Sequence, residues 1–128
     1  MTNKKIVFTD QAPRPIGPYS QAVIFDRLVF ISGQIGIDPQ TGELVSGGVA
    51  EETKQIFKNL KEILSAIGLN FSNIVKTTVY LTDLSTFSVM NAVYGEYFES
   101  NYPARATVEV KALPKKAKVE IDAIAVLE

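Results

Sequence analysis

The chain has 128 residues, of which 46% are apolar and 21% are charged, and its formal net charge is −1. This length fits a single domain over residues 1–128, and this apolar fraction is typical of a globular chain. The small negative charge argues against nucleic-acid binding, which relies on a basic surface. The apolar stretches are too short to span a bilayer, and no hydrophobic segment follows the N-terminus, so we expect a cytoplasmic protein without a membrane or signal segment.

Several residue types that commonly carry chemistry are absent, since the chain has no cysteine and no histidine. This removes thiolate nucleophiles, imidazole bases and the usual ligands of transition metals. The sequence also lacks glycine-rich phosphate-binding motifs. We therefore expect neither a metal nor a cofactor. The side chains that remain suit a substrate that is already reactive and needs only placement, proton transfer and water.

The N-terminal half predicts strands and turns. Prolines at 13, 15 and 18 exclude a helix there, because each lacks an amide donor and restricts the residue before it. Asp26 and Arg27 separate two segments rich in β-branched and aromatic residues, which is typical of a hairpin. The predicted elements are a short strand at 7–8, a stiff loop at 12–18, hairpin strands at 21–25 and 28–32, and a turn at 38–42.

The C-terminal half predicts two helices and three strands. Apolar residues at three-and-four spacing indicate an amphipathic first helix that Gly68 ends, and Ser85 is the expected N-cap of the second. The predicted elements are helices at 49–67 and 85–100 and strands at 74–82, 105–110 and 118–127. This order indicates an α+β domain in which two helices pack on one face of a mixed β-sheet.

The last predicted strand is apolar on both of its faces, since Ile124 and Val126 alternate with Ala123 and Ala125. A strand of this kind needs cover on both sides of the sheet. Two helices cover one side, so we expect other subunits to cover the other.

A possible site lies on the last two strands. Glu120 and Asp122 share one face of the final strand, and Arg105 and Thr107 share one face of the strand before it. If these strands pair antiparallel, Thr107 lies opposite Glu120 and Arg105 lies opposite Asp122, all on one side. An arginine fork can grip a carboxylate, and a glutamate can activate water. The alternative is an ordinary ion pair on a solvated sheet edge.

Three further residues are candidates for the same site. Tyr19 follows a stiff Gly-Pro segment, and stiff loops often carry functional side chains. Gly33 would allow a ligand to approach the backbone, although the sequence alone favours a β-bulge as the reason for a glycine in a strand. Asn91 lies among apolar neighbours in the second helix, where its amide would reach a ligand or a buried backbone group.

Seven motifs in this order resemble the RidA (YjgF/Rid) family, over essentially the whole chain. They are IGPYSQA at 16–22, SGQI at 32–35, DPQTG at 38–42, VKTTVY at 75–80, Asn91 with Tyr94 and Phe98, PAR at 103–105, and VEIDAIA at 119–125. Each motif is weak alone, but their combined order is specific. The resemblance implies a chorismate-mutase-like α+β fold, a homotrimer, and sites in clefts between subunits.

The resemblance also implies a function. RidA proteins hydrolyse reactive enamines and imines, such as 2-aminoacrylate and 2-iminobutanoate, that pyridoxal-phosphate enzymes release from serine or threonine, and they yield a 2-oxo acid and ammonia. By this resemblance Arg105 binds the substrate carboxylate, Glu120 is associated with the attacking water, and Tyr19 completes the catalytic set. The implied substrate-binding residues are Gly33, Ile35, Asn91, Ala106 and Thr107. Many members carry cysteine where this chain has Thr107, so a thiol is not essential to an activity retained here.

Two other functions remain open at this point. A non-catalytic protein that binds 2-oxo acids and signals metabolic state would use the same Arg105 cleft without needing Glu120. RNA cleavage is also reported for some relatives of this family, but the missing histidine and the net charge of −1 argue against it.

Overall fold

The computed structural model describes residues 3–128. Two helices, α1 (Gly48–Ser65) and α2 (Phe87–Gly95), pack on one face of a six-stranded sheet. The strands are β1 (Lys4–Val7), β2 (Ala22–Phe25), β3 (Leu28–Gln34), β4 (Ile74–Leu81), β5 (Ala104–Glu109) and β6 (Val119–Val126). Their order across the sheet is β1-β2-β3-β6-β4-β5. Because β4 and β5 run parallel while the other neighbours run antiparallel, the sheet is mixed, as the sequence predicts.

Helix α1 forms where the apolar periodicity predicts it. Ile56, Phe57, Leu60 and Ile63 lie on its buried face, where each fully buried side chain of this size contributes about 1.5–3 kcal/mol. The helix ends at Ser65, two residues before the predicted end, and Gly68 then adopts a φ of 74° that reverses the chain.

Helix α2 is shorter than predicted. A 3₁₀ turn at Leu84–Thr86 precedes it, and the cap is Asp83, whose side chain accepts a hydrogen bond from the backbone N–H of Ser85 at 2.9 Å. The prediction of Ser85 as N-cap was therefore wrong. Beyond Gly95 the chain leaves the helix, and Tyr97 stacks on Phe57 with ring centroids 4.3 Å apart. Packing in this aromatic cluster replaces the last predicted helical turns.

The core lies between the helices and one face of the sheet. In β6 the residues Val119, Ile121, Ala123 and Ala125 point toward the helices and are buried. The alternate residues point to the opposite face, which we call the open face. Neither helix of the described chain combines the length and apolarity required to cross a bilayer.

The open face carries exposed apolar side chains toward its β1 side. Phe25, Leu28 and Phe30 are exposed there, and the register places Phe30 opposite Ile124 and Leu28 opposite Val126. Exposed large side chains that lie together mark a surface suited to association.

The predicted pairing of β5 with β6 was wrong, because β4 lies between them. Arg105 lies beside Thr77 of β4, which is buried under the helices, whereas Glu120 lies opposite Tyr80, which points to the open face. Side chains at paired positions share a face of the sheet. Arg105 and Glu120 of one chain therefore point to opposite faces.

The connection through α2 explains this arrangement. A strand, a helix and a second strand in succession form a unit whose strands run parallel and share one sheet. That unit joins β4 directly to β5 at the sheet edge. The last strand then pairs with the other side of β4 and runs antiparallel to it.

Candidate active site in two clefts

The first cleft surrounds Arg105 where the β5 edge meets α2. Its volume is about 410 Å³, and we call it the Arg105 cleft. The guanidinium Nη1 donates a hydrogen bond to Asn91 Oδ1 at 2.8 Å. Its Cζ atom lies 4.7 Å from the ring centroid of Tyr94 and 5.4 Å from that of Phe87. These contacts hold the guanidinium without neutralising its charge.

The Arg105 fork stays available for an anion. Arginine has five N–H donors in a planar arrangement that matches a carboxylate. The neutral amide of Asn91 accepts one of these hydrogen bonds, and within residues 3–128 no carboxylate forms an ion pair with Arg105. Asn91 therefore orients the cation. The cleft has the chemistry of a carboxylate-binding site.

Two hydroxyl groups lie on the Arg105 side of the sheet. The Tyr94 hydroxyl hydrogen-bonds Thr77 Oγ1 at 2.7 Å, and burial raises the pKa of Tyr94 despite the opposing effects of Thr77 and Arg105. Thr107 shares the face of Arg105, and its Oγ1 is shielded from solvent with no hydrogen-bond partner in the described chain. A buried polar atom without a partner is uncommon and costly in a folded protein.

The second cleft surrounds Glu120 and has a volume of about 380 Å³; we call it the Glu120 cleft. Its lining brings together four residues singled out from the sequence: Tyr19, Gly33, Ile35 and Glu120. Tyr19 is half exposed, and its backbone N–H donates to Gly17 O at 2.9 Å, which forms a tight turn.

Gly33 is required because Glu120 lies directly over it. The register between β3 and β6 shifts between Ile31 and Gln34, so the strand contains a bulge at Gly33. A Cβ atom built on Gly33 would lie 2.9 Å from Glu120 Cδ and closer still to Oε2. The β-bulge interpretation of this glycine is therefore confirmed, and the missing side chain also allows a close approach. The group that approaches is the Glu120 carboxylate.

The environment of Glu120 makes it a better base than an ordinary glutamate. Burial raises its pKa, and the neighbouring charge of Asp122 raises it further. Asp122 in turn accepts a hydrogen bond from the Tyr80 hydroxyl at 3.1 Å. A carboxylate whose pKa moves toward neutrality accepts a proton from water more readily. Residues 3–128 contain no cluster of three potential acidic metal ligands.

Gln21 fixes the loop that forms the outer wall of the Glu120 cleft. Its side chain is 1% exposed. Its Nε2 donates to Thr9 O and to Pro13 O, each at 2.9 Å, and its Oε1 accepts from Thr9 N at 2.8 Å. These bonds tie residues 9–13 to the residue that precedes β2 and hold the loop that leads to Tyr19.

The candidate residues thus fall into two groups within one chain. Arg105, Asn91 and Thr107 lie on the helix side of the sheet, and Tyr19, Gly33, Ile35 and Glu120 lie in the Glu120 cleft. Ala106 alternates with Arg105 along β5, so it lies on the open face beside Thr78. It shares that face with Glu120 but is separated from it by β4.

Some residues of the two clefts escaped the sequence analysis. Tyr94 was noted as part of a family motif but not as a site residue, and Phe87 was not singled out for the site, yet both rings pack against the Arg105 guanidinium. Arg14 and Pro114 line the Glu120 cleft and were not singled out. A charged residue between two prolines was a usable signal for Arg14, because its stiff loop also carries Tyr19.

Comparison with known proteins shows the family. The family model described as Endoribonuclease L-PSP matches residues 9–127. The chain therefore belongs to this family, which is also known as the YjgF/RidA family. The resemblance inferred from the seven motifs is confirmed.

Relatives match over nearly their whole length. The human protein named 2-iminobutanoate/2-iminopropanoate deaminase is 56% identical over 123 residues, which cover 96% of this chain and 90% of that protein. The crystal structure of RidA from an Antarctic Psychrobacter species has a TM-score of 0.93 at 46% identity, covering 96% and 99% of the two chains. Escherichia coli TdcF with bound serine has a TM-score of 0.92 at 44% identity, covering 97% and 99%.

Proposed function

We propose that this protein is a 2-iminobutanoate/2-iminopropanoate deaminase, which hydrolyses reactive imino acids to 2-oxo acids and ammonia. The human, bovine and rat proteins of that name are 56–58% identical to it over 96% of its length. The observation that carries the proposal is the guanidinium fork of Arg105, which Asn91 and Tyr94 hold in place with its charge unneutralised. Such a group is suited to binding the carboxylate that every 2-imino acid carries.

We further propose that the complete site forms between two copies of the chain, in a homotrimer. The Arg105 and Glu120 clefts open on opposite faces of one sheet, so a single copy cannot present both groups to one small substrate. A second copy seated on the apolar part of the open face would bring its own Arg105 cleft toward the Glu120 cleft of the first. The exposed Phe25, Leu28 and Phe30 support this association.

In the proposed mechanism Arg105 binds the carboxylate and thereby orients the imine carbon. That carbon is already electrophilic, so no covalent nucleophile is needed. Glu120 positions a water molecule and accepts a proton from it as the water oxygen bonds to the carbon of the protonated imine. The electron pair of the C=N double bond moves to nitrogen, which gives a neutral tetrahedral carbinolamine. The carbon–nitrogen bond then breaks as the nitrogen gains a proton and the new hydroxyl gives its proton to the Glu120 carboxylate or to water.

The returning proton comes from Glu120, directly or through water, or from Tyr19, which lines the same cleft. The net reaction consumes one imino acid and one water and releases one 2-oxo acid and ammonia. Orientation by Arg105 and proton transfer by Glu120 account for the acceleration. Since spontaneous hydrolysis of such imines is quick, a modest acceleration is sufficient.

The direct test is a coupled assay. A threonine dehydratase supplies 2-iminobutanoate, and a trapping reagent, semicarbazide, competes with hydrolysis for the imine. We expect the protein to divert imine from the trap to 2-oxobutanoate in proportion to its concentration. The control is the same assay with the Glu120→Gln variant. If wild-type protein left the trapped fraction unchanged, the deaminase function would be wrong.

The deaminase names of the relatives favour an enzyme over a protein that only senses 2-oxo acids. Binding without turnover would instead favour the sensor. The serine bound to Escherichia coli TdcF supports recognition of a small amino or oxo acid by this fold.

A further inference from the structure

Arg14 is a preorganised cation on the rim of the Glu120 cleft. It lies between Pro13 and Pro15, whose rings restrict the backbone on both sides. The Nε2 atom of Gln21 donates a hydrogen bond to Pro13 O at 2.9 Å. The Arg14 Cζ atom lies 5.3 Å from the ring centroid of Phe8. The stiff loop and the Phe8 ring thus restrict the positions that the Arg14 guanidinium can occupy.

The charge of Arg14 has no partner of opposite sign within residues 3–128. It forms no ion pair and no hydrogen bond to a carboxylate there. Arg14 and Glu120 are the two charged side chains that line the cleft, and the other lining groups are apolar or neutral. Arg27 offers a contrast, because its Nη2 donates to Leu127 O at 2.9 Å, far from the cleft.

We infer that Arg14 is a specificity-determining residue, which favours substrates whose side chain carries a second carboxylate: 2-imino dicarboxylic acids. This inference rests on the proposed deaminase function and deepens it. Arg105 of another copy takes the carboxylate common to all 2-imino acids, and Glu120 takes the water. Arg14 is then the cation left to receive an anionic side chain, in a cleft of about 380 Å³ that exceeds the needs of an ethyl group.

The experiment compares a matched pair of ligands. Calorimetry measures the binding of 2-oxoglutarate and 2-oxobutanoate, the products from an acidic and a neutral substrate, to wild type, Arg14→Gln and Arg27→Gln. Turnover is measured in parallel with 2-iminoglutarate from a flavin-dependent glutamate oxidase and 2-iminobutanoate from threonine dehydratase. Arg14→Lys tests whether charge alone is sufficient, and melting curves and oligomer size confirm that each variant is folded and assembled.

The informative quantity is the ratio of affinity, or of kcat/KM, for the acidic over the neutral compound. We expect Arg14→Gln to lower this ratio roughly tenfold, the loss typical of one charge-assisted hydrogen bond at a partly exposed position. Arg14→Lys should lower it less, and Arg27→Gln should leave it unchanged. An equal ratio in wild type and Arg14→Gln would overturn the inference. A wild type that binds both oxo acids but hydrolyses neither imine would instead contradict the deaminase function. In that case the ratio of the two oxo-acid affinities in wild type and Arg14→Gln would still test the role of Arg14.

Discussion

The Arg105 and Glu120 clefts are built on opposite physical principles. Arg105 is exposed and is held by contacts that leave its charge intact, namely a neutral amide and two aromatic rings. Glu120 is half-buried beside a second carboxylate. Burial and the charge of that carboxylate both disfavour the ionised form of Glu120 and so raise its pKa. The first cleft is suited to hold a permanent anion, and the second is suited to take up and release a proton.

This difference shows how a small fold separates binding from proton transfer. If the two side chains shared one face of adjacent strands, as the sequence analysis predicts, an ion pair between them would stabilise the Glu120 carboxylate and lower its pKa. Placement on opposite faces keeps them apart within a chain. A second copy can then bring them to the same substrate.

The largest effect is expected from Glu120→Gln. Removal of the proposed base should lower kcat for 2-iminobutanoate by about 10²–10⁴, the usual contribution of general acid–base catalysis. The affinity for 2-oxobutanoate should change little, because the carboxylate is bound by Arg105. Calorimetry together with the coupled assay separates the two quantities. Normal turnover in this variant would remove the proposed base from the mechanism.

Arg105→Ala is expected to lower kcat/KM by about 10²-fold, since the substrate loses its orienting contact. Arg105→Lys should also be poor, because an ammonium group lacks the planar fork that binds a carboxylate and Asn91 together. Arg27→Ala is the matched control at an arginine outside both clefts. Steady-state assays with 2-iminobutanoate measure these effects, and wild-type rates in the lysine variant would contradict the assigned role.

Mixing the two inactive variants tests whether the clefts meet between copies. When Arg105→Ala and Glu120→Gln chains are unfolded together and refolded at equal amounts, half of the sites receive an intact Arg105. Half of those also receive an intact Glu120, so roughly a quarter of the wild-type activity should return if the assembly is a closed ring. Each variant refolded alone is the control. Mixed assemblies, verified by mass-tagged chains, that stay inactive would show that both residues act from one copy.

A smaller loss, roughly tenfold in kcat, is expected from Gly33→Ala. The added methyl group displaces the Glu120 carboxylate, which is the end of a flexible side chain, so the proposed base shifts while the fold persists. Gly36→Ala is the matched contrast, because its Cβ would lie 2.8 Å from the Cα of Glu52 in α1. That variant should lose about 1–3 kcal/mol of stability through overpacking. If thermal melts showed the reverse order of destabilisation, the assigned contact of Gly33 would be incorrect.

The smallest effects are pH dependences. The rate should rise with pH through the raised pKa of Glu120, above the ordinary glutamate value of about 4.3, and Glu120→Gln should lack this rise. Because the folded-state pKa is raised, the stability from this group is present at low pH and is lost as pH increases through that pKa. Glu120→Gln should therefore melt slightly higher than wild type at pH 7 and equally at pH 4. If wild type melted at a higher temperature than Glu120→Gln at pH 7, the direction of the Glu120 pKa shift would be contradicted.

Local patterns predicted most of the elements correctly. The hairpin around Asp26 forms, with a φ of 58° at that residue, and Gly42 adopts a φ of 76° in the predicted turn. The alternation of β6 places Ile121 inward and Glu120 outward. The errors lie where contacts between residues distant in the sequence determine how far an element extends. The C-terminal part of the second helix is replaced by an aromatic cluster around Phe57, and Asp83 caps the 3₁₀ turn that precedes this helix.

The sequence by itself determined the α+β class, which residues share a face within one strand, and the candidate groups of the site, because these depend on spacing along the chain and on side-chain chemistry. Which strands are neighbours was decided only by the tertiary structure. The helix between β4 and β5 makes them parallel partners, and β6 pairs with the other side of β4. Pairing of distant strands depends on chain connection and core packing, which local periodicity does not record, so only the fold could show that Arg105 and Glu120 of one copy face away from each other.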